Sequence, residues 1–444
     1  LGDVSLALRQ GEFSRLERRV QGASGEWSVG GFRGQVAAAS AQGEYRRMQF
    51  YGTEGLQGPY QLLDRDGGSG ISVVAGSEVV TLDGERLTRG EGADYAMDYE
   101  RARLTFTNRR PIEATSRITV DYQYALDRYR RNLVAAAGGW EAGGLRLHTE
   151  VLSESDDRGR PLDLTLSRED IAVLEAAGDS SALAVAGGVS AGPGDYDSVR
   201  VASGALAYAY AGPDSGEFAV VFARVGDGRG DYADSSLAAG GTAYRWVGEG
   251  QGAYRVGRAL PLAESHLLWA LGGAARSGPL RIEVEGAVSR LDPNTFSSRE
   301  DARHSGGAGR VALGLEGRLP GALGSGGLAL SARGVESSFQ PFTRLERPFE
   351  QEDWGLAAGG DLEHARRVEV TGFVRPRLRG ELRATVGRLT TPDGFSSVRG
   401  QVEWRRDGVL ATQARWDRAD VRQDTLALGD GGRERLAAEL RLRL

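Results

Sequence analysis

The sequence predicts an all-β fold, namely an antiparallel transmembrane β-barrel of about 14–18 strands with a small inserted β-module and one short helix. Three observations lead to this prediction. Polar and apolar residues alternate with a period of two in segments of roughly nine to eleven residues. Glycine, aspartate or asparagine ends most of these segments. Tight turns alternate with longer polar loops, which is the layout of barrels whose strands cross a membrane in ~10 residues.

The alternation is clearest in the last segment, 435–444, and in the segment 280–289. In the first, arginine, alanine and glutamate oppose leucine and alanine; in the second, Val284 and Val288 lie on the opposite face from Glu283 and Glu285. In a barrel, we expect the polar face to line the lumen. The alternative is a polar sheet face that is simply solvated. The lumen-facing candidates are Arg281, Glu283, Glu285, Glu316, Arg318, Glu439, Arg441 and Arg443.

Composition excludes several other classes of protein. With 40% hydrophobic and 26% charged residues, the chain is too apolar for disorder and too polar for a bundle of membrane helices. It has no apolar run of about 18 residues, so a helical membrane span is excluded. The net charge of −6, with both signs interspersed, argues against a nucleic-acid partner. Because cysteine is absent, a disulfide framework and a thiolate metal site are excluded.

Two features count against a membrane barrel. Aromatic residues make up only 7% of the chain, few for the two aromatic girdles that such barrels carry. The sequence ends at Leu444 rather than at the aromatic residue that ends many outer-membrane proteins. A soluble β-sandwich also alternates, so a glycine-rich sandwich or solenoid is the alternative fold. We expect any signal peptide to have been removed or to lie outside this sequence.

The segment 70–116 breaks the long-strand pattern. Its Asp83-Gly84 pair, flanked by alternating residues, is a strong hairpin signal. We therefore predict three parts: N-terminal barrel strands in 1–69, a small β-module in 70–116 that acts as a plug, cap or periplasmic appendage, and the main barrel strands in 117–444.

A second interruption, near 161–179, predicts the one helix as an insert in a loop or in the lumen. Ser167 is the expected N-cap, Glu169 and Asp170 lie in the first turn, and Gly178 ends the helix. The residues expected on its apolar face are Ile171, Leu174 and Ala177.

The small module carries a motif of glycines, aspartates and tyrosines. Its residues are Gly76, Ser77, Asp83, Gly84, Asp94, Tyr95, Asp98 and Tyr99. This motif resembles a recurrent segment of surface and outer-membrane proteins and is similar to segments of the translocon barrel of the type IX secretion system. The sequence departs from that pattern at Ala75, where proline is usual, and by one extra residue, Gly92 or Ala93, before Asp94. The resemblance implies a location in the outer membrane more than an activity.

Glycine-rich segments recur at 192–196, 226–232 and 248–254. A phosphate cradle is excluded because no helical pattern follows them. We interpret them as repeated turns with an anchoring aromatic residue. Calcium binding through Asp227 and Asp231 is the alternative, since carboxylates and carbonyls on a glycine turn are suitable ligands. We expect no other cofactor.

The sequence offers no assembled catalytic or metal motif. The histidines His148, His266, His304 and His364 are far apart, with no pair at helical spacing, so a preformed metal site is not expected. No Gly-x-Ser-x-Gly elbow accompanies a suitable histidine and acid. We therefore expect that the protein is not an enzyme.

The preferred functional interpretation is a conduit across the outer membrane of a Gram-negative bacterium, porin-like or associated with export or secretion. Such a barrel would contact outer-membrane lipid and periplasmic or cell-surface proteins. The alternative is a structural scaffold that anchors a surface or periplasmic assembly and has an occluded lumen. Conductance separates the two, because only an open lumen passes ions.

Overall fold

The computed structural model describes residues 2–41, 44–64, 71–125, 129–161, 165–236, 242–299, 301–343, 345, 350–356, 362–376, 380–406, 410–423 and 431–442. Nearly all regular elements in this part of the chain are antiparallel strands. The prediction of a mostly β, antiparallel fold with one short helix is therefore confirmed; besides that helix, the described residues contain only isolated helical turns. None of the described helices is long and apolar enough to cross a membrane.

The chain forms its elements in the following order. The first are β1 (Gly2–Leu8), β2 (Leu16–Val29), β3 (Phe32–Ala41), β4 (Glu44–Tyr51), β5 (Tyr60–Gln61), β6 (Ser72–Val73), β7 (Val79–Leu82), β8 (Glu85–Arg86), β9 (Tyr95–Asp98), β10 (Arg103–Phe106) and β11 (Arg117–Ala125). Next come β12 (Tyr129–Ala142), β13 (Leu145–Pro161), α1 (Arg168–Ala177), β14 (Val185–Ala186), β15 (Val189–Gly194), β16 (Tyr196–Arg200), β17 (Leu206–Tyr210), β18 (Gly216–Val220), β19 (Phe222–Arg224), β20 (Tyr232–Ser236), β21 (Thr242–Trp246), β22 (Tyr254–Val256) and β23 (Arg258–Ala259). The last are β24 (Ser265–Ser277), β25 (Leu280–Asp292), β26 (Ser305–Arg318), β27 (Ser325–Val335), α2 (Glu350–Asp353), β28 (Arg366–Arg375), β29 (Glu381–Thr390), β30 (Phe395–Arg406), β31 (Leu410–Gln423) and β32 (Gly431–Leu442).

The main body is a 14-stranded sheet in the order β1-β2-β3-β12-β13-β24-β25-β26-β27-β28-β29-β30-β31-β32. Each strand pairs with the one before it along the chain, except where two inserted units separate β3 from β12 and β13 from β24. Tight connections at 30–31, 143–144 and 278–279 lie at one end of the sheet, here called the turn end. The connections from β1 to β2, from β25 to β26 and from β27 to β28, together with both inserted units, leave the strands at the opposite end, the loop end. β32 ends at Leu442 at the turn end, whereas Gly2 of β1 pairs with Gly22, about halfway along β2.

The sheet is strongly curved. Glu12, in the connection between β1 and β2, bonds to Arg333 of β27, which stands eight places from β1 in the strand order. In a flat sheet that distance is about 38 Å, whereas Glu12 is four residues from either strand and reaches about 14 Å. The sheet must therefore curl around the 9–15 connection.

The two faces of the sheet differ in exposure. The outward face, called the apolar face, carries large hydrophobic side chains that stay exposed, for example Trp269 at 50%, Leu271 at 56% and Val386 at 60%. The opposite, covered face carries buried residues such as Leu152 and Leu268. The apolar face is formed by Val134, Leu147, Val151, Leu267, Trp269, Leu271, Val284, Val288, Val311, Leu313, Leu315, Leu328, Leu330, Val368, Val370, Leu382, Val386, Val398 and Val402.

The first inserted unit, the small module, spans Glu44–Ala125. β4 and β11 pair with each other, and β11 also pairs with β7 and β6. Its core contains the buried residues Leu104, Ile118, Tyr122 and Tyr124. The module is thus wider than the predicted 70–116, and β4 does not join the large sheet. Alternation indicated these strands but contains no information about their partners.

The second inserted unit lies between β13 and β24 and begins with the predicted helix. Ser167 caps it, because its side chain accepts a hydrogen bond from the Asp170 N–H while the Asp170 carboxylate accepts one from the Ser167 N–H, each at 3.0 Å. Leu174 and Ala177 are buried, and Gly178 follows with φ 59°. The helix prediction is confirmed. After it come two four-stranded sheets, β15-β18-β16-β17 and β19-β22-β20-β21.

Candidate functional site

Three of the predicted lumen-facing residues, Arg281, Glu283 and Glu285, share the covered face of β25, opposite Val284. Glu285 is buried, and Glu283 contacts Arg281 and lies 3.4 Å from Arg310 of β26. The structure therefore brings this group of charges together across neighbouring strands.

The other candidates lie apart from this group. Glu316 lies on the covered face of β26 towards the turn end, where its Oε1 is 2.7 Å from the Arg375 guanidinium, and Arg318 is exposed. Backbone register places Glu439 opposite Gln413 and Arg441 opposite Ala411. The side chains of Glu439 and Arg441, and the whole of Arg443, lie outside the described residues.

The connection 9–15, here called the inner loop, is held against the covered face by two carboxylates. The N–H groups of Glu12 and Phe13 donate to Glu285, each at 2.9 Å. Those of Gln10 and Gly11 donate to Glu150 of β13, each at 3.2 Å. Hydrogen bonds to charged groups are the stronger ones in proteins. The loop backbone is therefore fixed by side chains of distant strands.

Close packing accompanies these bonds. A Cβ on Gly11 would stand 2.5 Å from Ser14 Oγ and 2.7 Å from Glu285 Oε1, so a larger residue here would have to displace these side chains. Phe13 packs edge-on against Phe339, with ring centroids 6.0 Å apart. Ser14 Oγ also donates to Glu150. The inner loop is thus part of the buried core of the sheet.

A second covering segment, residues 336–343 and 350–356, also lies on the covered face. The Phe342 ring stacks on the His266 ring of β24, with ring centroids 4.0 Å apart. The backbone carbonyl of Phe342 accepts a hydrogen bond from the Arg18 guanidinium. Arg18 in turn pairs with Glu154 of β13. Further along, Trp354 is buried beside Leu389 and Phe395. Two chain segments together therefore occupy the space enclosed by the curved sheet.

Ion pairs tie the covering segments to several strands. Arg399 of β30 bonds to Asp353 at 3.2 Å and to Asp417 at 2.8 Å, while Arg415 also reaches Asp353 at 3.2 Å. Asp353, which takes part in these contacts, is the last residue of α2, a single helical turn. Mixed charges paired in this way neutralise the enclosed space rather than giving it one sign.

In the described part of the chain, three cavities adjoin the inner loop. One of about 440 Å³ is lined by charged residues including Arg9, Glu12, Arg310 and Arg367. Others of about 130 Å³ and 410 Å³ lie beside His148 and Arg146. Gln10 lines all three, so each of them adjoins the inner loop.

The first half of the module motif shapes turns. Gly76 and Gly84 have φ of 77° and 82°, and Asp83 adopts φ 49°, all in the left-handed region. The Asp83 carboxylate accepts the N–H of Arg117 at 2.8 Å. Ser77 Oγ donates to the Val74 carbonyl at 2.7 Å.

The second half of the motif fixes loops and a buried acid. Asp94 accepts the Thr88 N–H at 2.8 Å. The Asp98 carboxylate accepts a hydrogen bond from the Arg101 N–H at 3.0 Å, and this bond lowers the pKa of Asp98. Tyr95 and Tyr99 both point to Glu78; burial first, and then the Glu78 charge, raise the pKa of Tyr95. The motif therefore specifies the fold of the module.

The glycine-rich segments belong to a duplicated unit that sequence reasoning missed. Tyr196 Oη accepts the Tyr244 N–H at 3.0 Å, and Tyr232 Oη accepts the Tyr208 N–H at 2.8 Å. Each partner in the second bond is 36 residues from its counterpart in the first, so the two four-stranded sheets interact reciprocally. The signal for this repeat is the Gly-Asp-Tyr triplet at 194–196 and again at 230–232.

The carboxylates of the repeated triplets cap turns. Asp195 accepts the Asp214 N–H at 2.9 Å and Asp231 accepts the Gly250 N–H at 3.0 Å. Asp227 lies 3.9 Å from Arg224. The described contacts therefore use Asp231 as a turn cap, whereas the sequence had suggested it only as an alternative calcium ligand.

Comparison with known proteins adds one result. Residues 45–126 match the model of a family described as a domain of unknown function, DUF8818. This span coincides with the small module, so the chain contains a DUF8818 domain within a largely antiparallel β-protein. No curated protein and no solved structure matches the chain.

Proposed function

We propose that the 14-stranded sheet closes into a transmembrane β-barrel in the outer membrane of a Gram-negative bacterium. The exposed apolar face supports this, because a lipid-facing sheet needs an outward hydrophobic band. Closure would pair the free edges of β1 and β32 and so satisfy their backbone N–H and C=O groups. The hydrocarbon of a membrane offers these groups no hydrogen-bond partners. The even number of strands in the sheet also fits such a barrel.

Within this membrane the barrel acts as a scaffold with an occluded lumen, and not as an enzyme. The observation that carries this proposal is the bonding of the inner loop to Glu150 and Glu285. Each of these charged bonds contributes roughly 1.5–3 kcal/mol, and burial of a phenylalanine such as Phe13 adds about 1.5–3 kcal/mol. An open lumen would require all of these contacts to break together.

The scaffold presents its two inserted units on one side of the membrane. Both the DUF8818 module and the duplicated unit leave the sheet at the loop end. In outer-membrane barrels the short turns face the periplasm and the long connections face outwards. The units would therefore meet protein partners at the cell surface.

Two measurements test the proposal. In the outer-membrane fraction, the unboiled protein should migrate faster on an SDS gel than the boiled protein, because a closed barrel resists SDS. Reconstituted in a planar bilayer, the same preparation should pass no steady ohmic current. A soluble protein without a gel shift would rule out the membrane barrel. A heat-modifiable protein that forms a stable pore would rule out the occluded scaffold.

A conduit is the second candidate, and the cavities favour it. The three cavities around Gln10 leave space along the inner loop, and neighbouring cavities share lining residues. In this version the inner loop is a gate that a partner or cargo displaces. A silent wild-type barrel that conducts only when the inner loop is detached would support the gated conduit.

A further inference from the structure

We propose that Asp179, Asp292 and His304 form a binding site for a transition-metal dication of the zinc type. One carboxylate oxygen of each aspartate and one ring nitrogen of the histidine lie within 4.8 Å of one another. Asp179 follows the end of α1, Asp292 ends β25 and His304 precedes β26. The site thus joins the second inserted unit to the rim of the large sheet, at its loop end.

Buried polar atoms without hydrogen bonds point to a ligand at this place. The His304 side chain is only 8% exposed. Its Nε2 lies 2.7 Å from Asp179 Oδ2, while its Nδ1 has no hydrogen bond and faces Asp301 Oδ1 at 3.8 Å. Asp179 Oδ1 and Asp301 Oδ1 are also buried without a hydrogen bond. Buried polar atoms are normally satisfied, and two of these unbonded atoms, Asp179 Oδ1 and His304 Nδ1, belong to residues of the proposed ligand set.

The charge of the cluster favours a cation as that partner. Asp179, Asp292 and Asp301 place three carboxylates around one imidazole. Arg290 lies 3.0 Å from Asp301 and compensates one of them. Neighbouring carboxylates disfavour their common ionisation, and a bound dication reverses that effect.

The donor set indicates the type of metal. Calcium takes six to eight oxygen ligands and has no use for an imidazole. Zinc binds histidine nitrogen and aspartate oxygen at about 2.0–2.2 Å, commonly with a water in the fourth position. Its ligand atoms are then roughly 3.4 Å apart, so the side chains need to close in only slightly.

The metal would strengthen a junction that the protein already builds. Asn294 Nδ2 donates to the carbonyls of Leu174 and Gly178, at 2.8 and 2.6 Å, and Ser297 Oγ donates to that of Glu175 at 2.9 Å. The 293–304 connection therefore holds the C-terminal end of α1. A metal bound beside it would fix the second inserted unit to the sheet. This inference does not depend on the scaffold proposal.

The test uses the full chain, purified in detergent and stripped of metal with EDTA. Titration calorimetry with zinc chloride should show one site per chain, and calcium chloride should bind at least ten times more weakly. Asp292→Asn and His304→Gln should each weaken zinc binding by at least about 10–100-fold. That loss is typical for residues that only hydrogen-bond to metal ligands, and a ligand should matter at least as much. His364→Gln, a histidine on the connection between β27 and β28, is the matched control and should leave binding unchanged.

Hydrogen exchange locates the site without any substitution. Zinc should slow amide exchange in peptides from 168–180 and 293–304 of the wild type and leave the DUF8818 module unaffected. Absence of zinc binding, equal affinity for calcium, or protection elsewhere in the chain would overturn the proposal. So would unchanged affinity in both cluster variants, provided that circular dichroism shows them folded; should they misfold, the wild-type exchange pattern decides.

Discussion

Replacing Glu285 by alanine should release the inner loop from the covered face. The carboxylate accepts two backbone N–H groups, from Glu12 and Phe13, and it is buried. Each bond to a charged group is worth about 1.5–3 kcal/mol. Because the two bonds share one side chain and are not additive, we take the lower end of their sum, about 3 kcal/mol. The detached population of the loop should then rise roughly 100-fold.

Hydrogen exchange read by mass spectrometry measures the detachment of the inner loop directly, because the amides of Glu12 and Phe13 lose their hydrogen bonds when Glu285 is replaced. A peptide covering 9–16 should lose about 100-fold of its protection in Glu285→Ala. Glu316→Ala is the matched control, because Glu316 lies on the same face but bonds to Arg375, away from the loop. Unchanged protection in Glu285→Ala, or an equal loss in Glu316→Ala, would refute the assignment of the loop to Glu285.

Three further predictions concern the inserted units. The hydrogen bond from the Ser167 N–H, and then the charge of Arg258, lower the pKa of Asp170 in the folded protein. The contribution of Asp170 to stability is therefore full above its unfolded pKa of about 3.9 and is lost as the pH falls below about 4. Hydrogen-exchange protection of α1 should fall in that pH range, and Asp170→Asn should remove the pH dependence. Tyr232→Phe should destabilise the duplicated unit by about 0.5–1.5 kcal/mol in thermal unfolding, and a value near zero would contradict the reciprocal bonding. Asp83→Ala should cost the module about 2 kcal/mol, because it removes both a hydrogen bond and tolerance of the left-handed conformation, whereas Asp83→Asn should be near neutral in the same assay.

Local chemistry determined a large part of this structure. Alternation with a period of two identified strands such as β25 and β30 and the face that each residue takes, because side-chain direction depends only on position along the strand. The capping box of Ser167 and Asp170 fixed the start of α1, since it needs only residues three positions apart. Asp83 and Gly84 determined their turn for the same reason.

Tertiary structure decided which strands pair and what the covered face holds. A period of two does not name a partner, so only the fold shows that β4 and β11 belong to the small module. The carboxylate of Glu285 was predicted to face inwards, yet its bonds to a loop some 270 residues earlier in the chain depend on the curvature of the whole sheet. His304 looked isolated in sequence, and it meets Asp179 only because the second inserted unit folds back onto the rim. The sequence therefore determined what each segment is, and the long-range packing determined what it meets.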